Sequence, residues 1–423
     1  MEYRYKEMMI DEMLLQAVAA HLHGEKVKWN MPIEQEQWED FFRLASEHSL
    51  LPLVFETVCN CESIQSMDRD RFMQMKQIST RQVIFQIKRT EELKQVYKQL
   101  SEKEIYPVVV KGIVCRLLYP IPDDRISNDE DLWINWEEFS RTNELMAEWG
   151  MKLREPEKEI EKEFEVPYYN PKGCLVIELH KDLFAESSDA YGTFNQLFQG
   201  AKERKIPIDV DGMTIYTLEY TDHLAYLIAH AFKHFLHSGF GIRQVCDIVL
   251  FAKKYQDIVD WDKIYDICKK MRALYFTAAL FEIGRKYLDY ELTRPYESAK
   301  WNIEVDPEDL LADLLDSGIF GKKNLARQHS STITLNAVAS EKKGKEAKVS
   351  VRKSLFPSAK DISGRYLYLK KHPYLLPVAW TDRIWHYYKE NHNHKGKNQA
   401  EKTIEIGKQR VELLKKYKVI DEK

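Results

Sequence analysis

Ile105-Tyr106-Pro107-Val108-Val109-Val110-Lys111-Gly112 and, sixteen residues on, Asp129-Glu130-Asp131-Leu132-Trp133-Ile134-Asn135 set the architecture of this chain. The first is a β-branched run, the pattern of a buried strand, closed by Lys-Gly. The second is expected to be a strand too, and in a strand residues two apart share a face. Asp129 and Asp131 are therefore expected to aim their carboxylates into one space. Two anions held that close repel unless a cation sits between them. Cys174-Leu175-Val176-Ile177-Glu178-Leu179-His180 supplies a third acid, Glu178, inside an apolar run where a charge is costly unless paired or coordinated. With this strand beside the second, Asp129, Asp131 and Glu178 converge at a sheet edge. Such an all-oxygen set suits Mg²⁺, with Mn²⁺ as a substitute. A solvated Asp-x-Asp loop and a Glu on an exposed hairpin face form the plain alternative.

Outward from this core, the segments read as follows. Ile113 to Tyr119 fits two turns of helix, and Pro120, Pro122 and Asp123-Asp124 fit a turn. Glu137 to Trp149 fits a helix stopped by Gly150. Phe164–Tyr169 and Cys174–His180 flank Asn170-Pro171-Lys172-Gly173 and fit a hairpin. Ile206 to Tyr216 fits another, about Asp211-Gly212. On the N-terminal side, Ile10–His23 and Phe72–Leu100 carry helical spacing, the latter with Val83, Ile84, Ile87, Leu93, Val96 and Leu100 on one side. On the C-terminal side, helices are expected over Asp222–His237, Ile242–Tyr255, Trp261–Tyr287 and Gln399–Tyr417. Ser340–Val349 reads as a mobile loop. The expected class is α+β, with a small mixed sheet embedded in a largely helical protein. The expected division is a helical region over 1–103, the α/β core over 104–220, a helical domain over 221–330, and a loop and helical region over 331–423.

Composition bounds the function. The chain has 423 residues, 44% hydrophobic and 31% charged, so cores can form. Its 63 Lys+Arg against 67 Asp+Glu leave a net charge of −4, which argues against a protein that holds polyanions by bulk charge. Few Gly and Pro (16 and 14) favour helix. The start, Met1-Glu2-Tyr3-Arg4, lacks an apolar stretch behind a basic opening, and no run of apolar residues suits a membrane span. The six cysteines include no Cys-x-x-Cys, so reduced, mostly buried thiols and a cytoplasmic setting are expected.

The order of strand, Lys-Gly, turn, Asp-x-Asp strand, helix and Glu strand resembles the nucleotidyltransferase superfamily that includes DNA polymerase β and the aminoglycoside nucleotidyltransferases. More closely, it resembles a bacterial branch, the uncharacterised nucleotidyltransferase family. The resemblance rests on Val109-Val110-Lys111-Gly112, Tyr119-Pro120, Arg125-Ile126-Ser127-Asn128-Asp129-Glu130-Asp131-Leu132 and Ile177-Glu178-Leu179-His180. It extends through His230-Ala231-Phe232-Lys233-His234 and Asp247, and again through Arg365-Tyr366 and Tyr374–Trp380, covering most of residues 40 to 390. Two positions depart from the superfamily pattern: Gly112-Ile113 replaces Gly-Ser, and Glu130 stands where an apolar residue is usual.

The resemblance implies two-metal transfer of NMP from an NTP to a hydroxyl, with loss of pyrophosphate. Asp129 and Asp131 would hold the triphosphate metal, and Glu178 would serve the second metal and the acceptor side. Lys111, Gly112, Arg125, Ser127, His180, His230, Lys233 and His234 are the implied nucleotide-binding set. A salt bridge from Arg125 to Asp123, Asp124 or Glu130 is the competing reading of that residue. The acceptor is a small molecule, peptide or protein, without a nucleic acid template or a membrane. A nucleotidyltransferase fold that binds without turnover is the alternative.

His223, His230, His234 and His237 fall within an arc of roughly 60° on one helix. They fit a pocket wall or ordinary buried histidines better than a zinc site, since no Glu adjoins His230 to act as the base of a zinc hydrolase.

Overall fold

A computed structural model of the chain describes residues 2–318, 325–342 and 399–421, together with 366, 368–369, 372–382 and 385. Helices α1 (Glu2–Leu22), α2 (Gln35–Glu47), α3 (Leu51–Val58) and α4 (Arg69–Ser101) precede the first strand, β1 (Val108–Val109). The single-turn α5 (Ile113–Arg116), β2 (Glu130–Trp133), α6 (Phe139–Glu148), β3 (Lys152–Leu153), β4 (Glu165–Tyr169), β5 (Val176–His180), β6 (Ile206–Val210) and β7 (Met213–Thr217) follow. Then come α7 (Tyr220–Leu236), α8 (Ile242–Tyr255), α9 (Trp261–Met271), α10 (Leu274–Tyr287), α11 (Glu308–Ser317), α12 (Leu325–Lys342) and α13 (Gln399–Lys416). The fold is α+β, as the sequence reading expects.

All seven strands form one mixed sheet in the order β3-β4-β5-β2-β1-β7-β6. β2 runs parallel to β5 with Asp131 opposite Glu178 and Trp133 opposite His180. β4 lies antiparallel to β5 with Glu165 opposite His180. Strand alternation then sorts the faces. Val109, Leu132, Ile177 and Leu179 point to one side and pack with Leu93, Val96, Tyr97 and Leu100 of α4 and with α6. Val108, Val110 and Trp133 point to the other side, toward Leu224, Ile228 and Phe232 of α7. Asp131, Glu178 and His180 share that second face by register.

Local chemistry explains where the elements differ from expectation. β1 is shorter than Ile105–Val110 because Pro107 has no N–H for the ladder. Its carbonyl instead accepts from the Tyr97 hydroxyl at 3.0 Å. The expected helix over Trp261–Tyr287 is two helices, broken where Arg272 turns left-handed at φ 60°. On α4 the expected apolar side is buried only in its second half: Leu93, Val96 and Leu100 are buried, whereas Ile84 and Ile87 are exposed. The Asp211-Gly212 turn does join β6 to β7, with φ of 48° and 80° at its two central residues, the pattern of a two-residue hairpin. Of the expected loop Ser340–Val349, residues 340–342 close α12 and the remainder lies outside the described residues, as does Arg365. All six cysteines are free. Among the described residues no helix is long and apolar enough to cross a membrane.

Candidate active site

The site lies at one end of the β1–β2–β5 trio, where the sheet meets α7. The parallel register puts Asp131 beside Glu178, and His180 follows two residues on along β5. His180 Nε2 stands 3.0 Å from Asp131 Oδ1 and 3.8 Å from Glu178 Oε2. One ligand atom from each of Asp131, Glu178 and His180 lies within 4.8 Å of the others. Among the described residues this is the group of three or more acids and histidines that could hold a metal ion. Glu165, across β4, stands 3.8 Å from His180 Nδ1.

Lys111 reaches in from the end of β1. Its Nζ is 3.1 Å from Asp131 Oδ2 and 3.2 Å from His230 Nε2. His234 Nε2 follows at 3.3 Å from His230 Nε2. The electrostatics follow from this crowding. Burial would raise the Asp131 carboxyl, but the Lys111 ammonium and the His180 hydrogen bond outweigh it and hold Asp131 well below the usual carboxylate range. Glu178 goes the other way: burial, then the charges of Asp129 and Asp131, push it up to about 8. Asp129 is raised as well, by burial, although Lys111 counteracts it. Burial, then the Lys111 and Lys233 charges, depress His230 and His234, so both are neutral imidazoles near pH 7. Lys233 is lowered by burial.

The structure brings together Lys111, Asp131, Glu178, His180 and His230, and sets His234 behind His230. Asp129 stands one residue before β2 begins and is not a member of the three-residue cluster. His180 takes the third place that the sequence reading gave to Asp129. Gly112 has φ +49°, and a Cβ there would stand 1.8 Å from Glu130 Oε2, so the position excludes any side chain. Two residues of the implied nucleotide-binding set have partners within the fold. Arg125 is buried and gives its fork to Asp247, at 2.8 Å from Nε and 2.6 Å from Nη2, rather than to Asp123, Asp124 or Glu130. Ser127 turns its hydroxyl inward, to Glu130 Oε1 at 3.0 Å and Arg116 Nη1 at 2.6 Å. Both side chains are spent on partners within the fold. The histidine stripe divides in the same way: His223 Nε2 lies 2.8 Å from the Val110 carbonyl and His237 Nε2 lies 3.0 Å from the Tyr191 hydroxyl.

Glu130 explains the unusual residue between the aspartates. It is fully buried, 2.6 Å from Arg116 Nη1, and accepts the Ile113 N–H at 2.9 Å. Sequence reasoning missed Arg116, Glu165 and Arg243. Arg116 had a usable signal, a charged residue one helical turn after Gly112 and facing the same loop. Glu165 is set opposite His180 by the register of the β4–β5 hairpin, and Arg243 reaches the Ile126 carbonyl only through tertiary packing.

The donor set fits a divalent cation. Asp131 and Glu178 supply carboxylate oxygens of the kind that Mg²⁺ or Mn²⁺ takes, and the imidazole is more readily accepted by Mn²⁺ than by Mg²⁺. A carboxyl that keeps its proton up to about pH 8 beside one held ionised is a pair in which a cation could take the place of the proton.

Comparison with curated proteins and with solved structures gives no match. A family model described as uncharacterised nucleotidyltransferase matches residues 34–289, more than half of the chain and the whole of the sheet. The chain belongs to the uncharacterised nucleotidyltransferase family.

Proposed function

We propose that the chain transfers NMP from an NTP to a hydroxyl of a small molecule, peptide or protein and releases pyrophosphate. The observation that carries this reading is the pairing of Asp131 with Glu178 on adjacent parallel strands, with Lys111 3.1 Å from Asp131, inside the family match. A divalent cation, Mg²⁺ or Mn²⁺, bound by Asp131 and Glu178 with Asp129 nearby would neutralise triphosphate charge and stabilise the attacking and leaving oxygens.

The chain's own residues supply the rest. Lys111 offers a point charge to the phosphates. The neutral His230 and His234 offer hydrogen bonds to a base, ribose or acceptor. Glu178, ionised once a cation displaces the proton it holds up to about pH 8, would help hold the second metal and favour deprotonation of the acceptor hydroxyl. The acceptor oxygen attacks the α-phosphorus, the bond to the bridging oxygen breaks, and pyrophosphate leaves with the electron pair. His180 holds Asp131 in place through the 3.0 Å hydrogen bond.

One observation favours binding without turnover. Glu130 occupies the Ile113 N–H, the first amide of the loop where the superfamily's serine would greet the triphosphate. Incubation with each labelled NTP and Mg²⁺ or Mn²⁺ separates the two readings. Pyrophosphate release or self-labelling that disappears in Asp131→Asn supports transfer. Saturable nucleotide binding with no pyrophosphate supports the binding module.

A further inference from the structure

We propose that Arg89, in the second half of α4, is a positioning residue that fixes the approach of Asp129 to Glu178. The inference rests on the proposed metal-dependent transfer. The ladder between β2 and β5 begins at Glu130 opposite Ile177. Asp129 stands one residue outside it, half-buried, and among the described residues its carboxylate has no hydrogen bond or ion pair. Continued backward, the register sets Ser127 level with Cys174, each three residues before the first pair. Arg89 spans that gap. Its Nη1 donates to the Ser127 carbonyl and its Nε donates to the Cys174 carbonyl at 3.2 Å. One guanidinium thus does ahead of the ladder what backbone hydrogen bonds do within it.

Neighbours on α4 anchor the same two chains singly. Gln86 Oε1 accepts the Ser127 N–H at 2.8 Å. Glu92 accepts the Cys174 N–H at 2.9 Å, the Leu175 N–H at 3.1 Å and Asn170 Nδ2 at 2.9 Å. Residues 86, 89 and 92 follow one another at steps of three and so share one side of the helix. Arg89 is the one of the three that touches both chains. Gln86 and Glu92 hold each chain through separate side chains, whereas Arg89 holds both through one rigid planar group. The α8 contacts, Arg243 to the Ile126 carbonyl and Asp247 to Arg125, lie further back along the loop. The ladder fixes Asp131 against Glu178 on one side, and Arg89 fixes Ser127 against Cys174 on the other. Asp129 hangs between these two ties, and both set its reach to the metal-binding group.

The test is a double-mutant cycle on the full chain, read by Mn²⁺ binding in electron paramagnetic resonance and by kcat and KM for NTP. Asp129→Asn and Arg89→Gln are each expected to weaken Mn²⁺ about 10-fold. Arg89→Gln should lower kcat with little change in KM, and leave the melting transition cooperative. In an Asp129→Asn background the same change should cost no more than about 2-fold, because residues acting through one another are not additive. Arg89→Lys, which keeps the charge without the planar fork, should recover part of the loss. It carries the cycle if the glutamine variant does not fold. An equal loss with and without Asp129, as a merely structural role would give, overturns the inference alone. So does unchanged Mn²⁺ affinity in a folded Arg89→Gln protein or in Asp129→Asn. Wild-type protein that binds no Mn²⁺, or binds it regardless of Asp131→Asn, overturns the proposed function with it.

Discussion

Glu130 and Asp131 are neighbours in one strand, both buried, and they face opposite sides of the sheet. Their surroundings differ in kind. Glu130 is answered in full: Arg116 at 2.6 Å, the Ser127 hydroxyl at 3.0 Å and the Ile113 N–H at 2.9 Å. Asp131 is answered by Lys111 at 3.1 Å and His180 at 3.0 Å, and it also shares its space with Glu178 and the charge of Asp129. One carboxylate closes a network, and the other sits among acids of which Glu178 keeps its proton up to about pH 8. A buried ion pair with every partner satisfied holds structure together. A crowded set of acids retains protons, and a bound cation can take their place.

The comparison makes predictions that can break it. The largest effect belongs to Asp131→Asn, which should lower NTP-dependent turnover by about 10³-fold or more, read as pyrophosphate release. The structure also reverses one expectation that charge repulsion suggests. Because Asp131 is held ionised by Lys111 and His180, its amide should destabilise the fold, by about 1–3 kcal/mol. Asp129, whose carboxyl is raised, should tolerate Asn with little loss in a thermal melt.

Glu130→Gln comes next. It leaves Arg116 buried without its counter-charge and should cost about 3 kcal/mol of stability. Turnover per folded molecule should stay within a few-fold of wild type. Thermal unfolding and active-fraction titration check both halves. A stable Glu130→Gln protein without activity would erase the distinction drawn here.

The pH dependence is a smaller effect and sharpens the Glu178 half of the site. Its folded carboxyl is raised from the ordinary 4.5 to about 8. Between those values the native state keeps a proton that the unfolded chain has lost, so this group's contribution to stability falls as pH rises through that window. A bound cation replaces the proton, so the rise in melting temperature caused by Mn²⁺ should grow from about pH 6 to above pH 8. Glu178→Gln should remove that growth and slow turnover more than it weakens NTP binding. A Mn²⁺ effect that is flat in pH would contradict this assignment. Smallest is His230→Ala, expected to raise KM for NTP or acceptor a few-fold without changing zinc content, measured by metal analysis of untagged protein.

Much of the fold and part of the site are legible in the sequence, for a physical reason. Period-two and period-3.6 patterns are local, so Glu178 in an apolar run and the α7 histidines announce themselves. The convergence of Asp131 and Glu178 follows once β2 and β5 are taken as neighbours. Pairings across distant elements have no period. Arg125 finds Asp247, and Arg116 finds Glu130, only through the packing of α8 and α5 around the 125–130 loop. The same loop takes Asp129 out of the strand, and a two-residue spacing cannot show that. His180 fills the gap because the β5 register places it beside the Asp131 partner.

The central claim is that the Asp131 side of the sheet is built to receive a divalent cation and the Glu130 side is not. A Mn²⁺ titration of three folded proteins at pH 8, followed by electron paramagnetic resonance, tests it most directly. Wild type and Glu130→Gln should bind with affinities within about 3-fold of each other. Asp131→Asn should lose about 100-fold or more, as expected when a carboxylate ligand is removed. Equal affinity in all three proteins, or a greater loss in Glu130→Gln than in Asp131→Asn, would contradict the account.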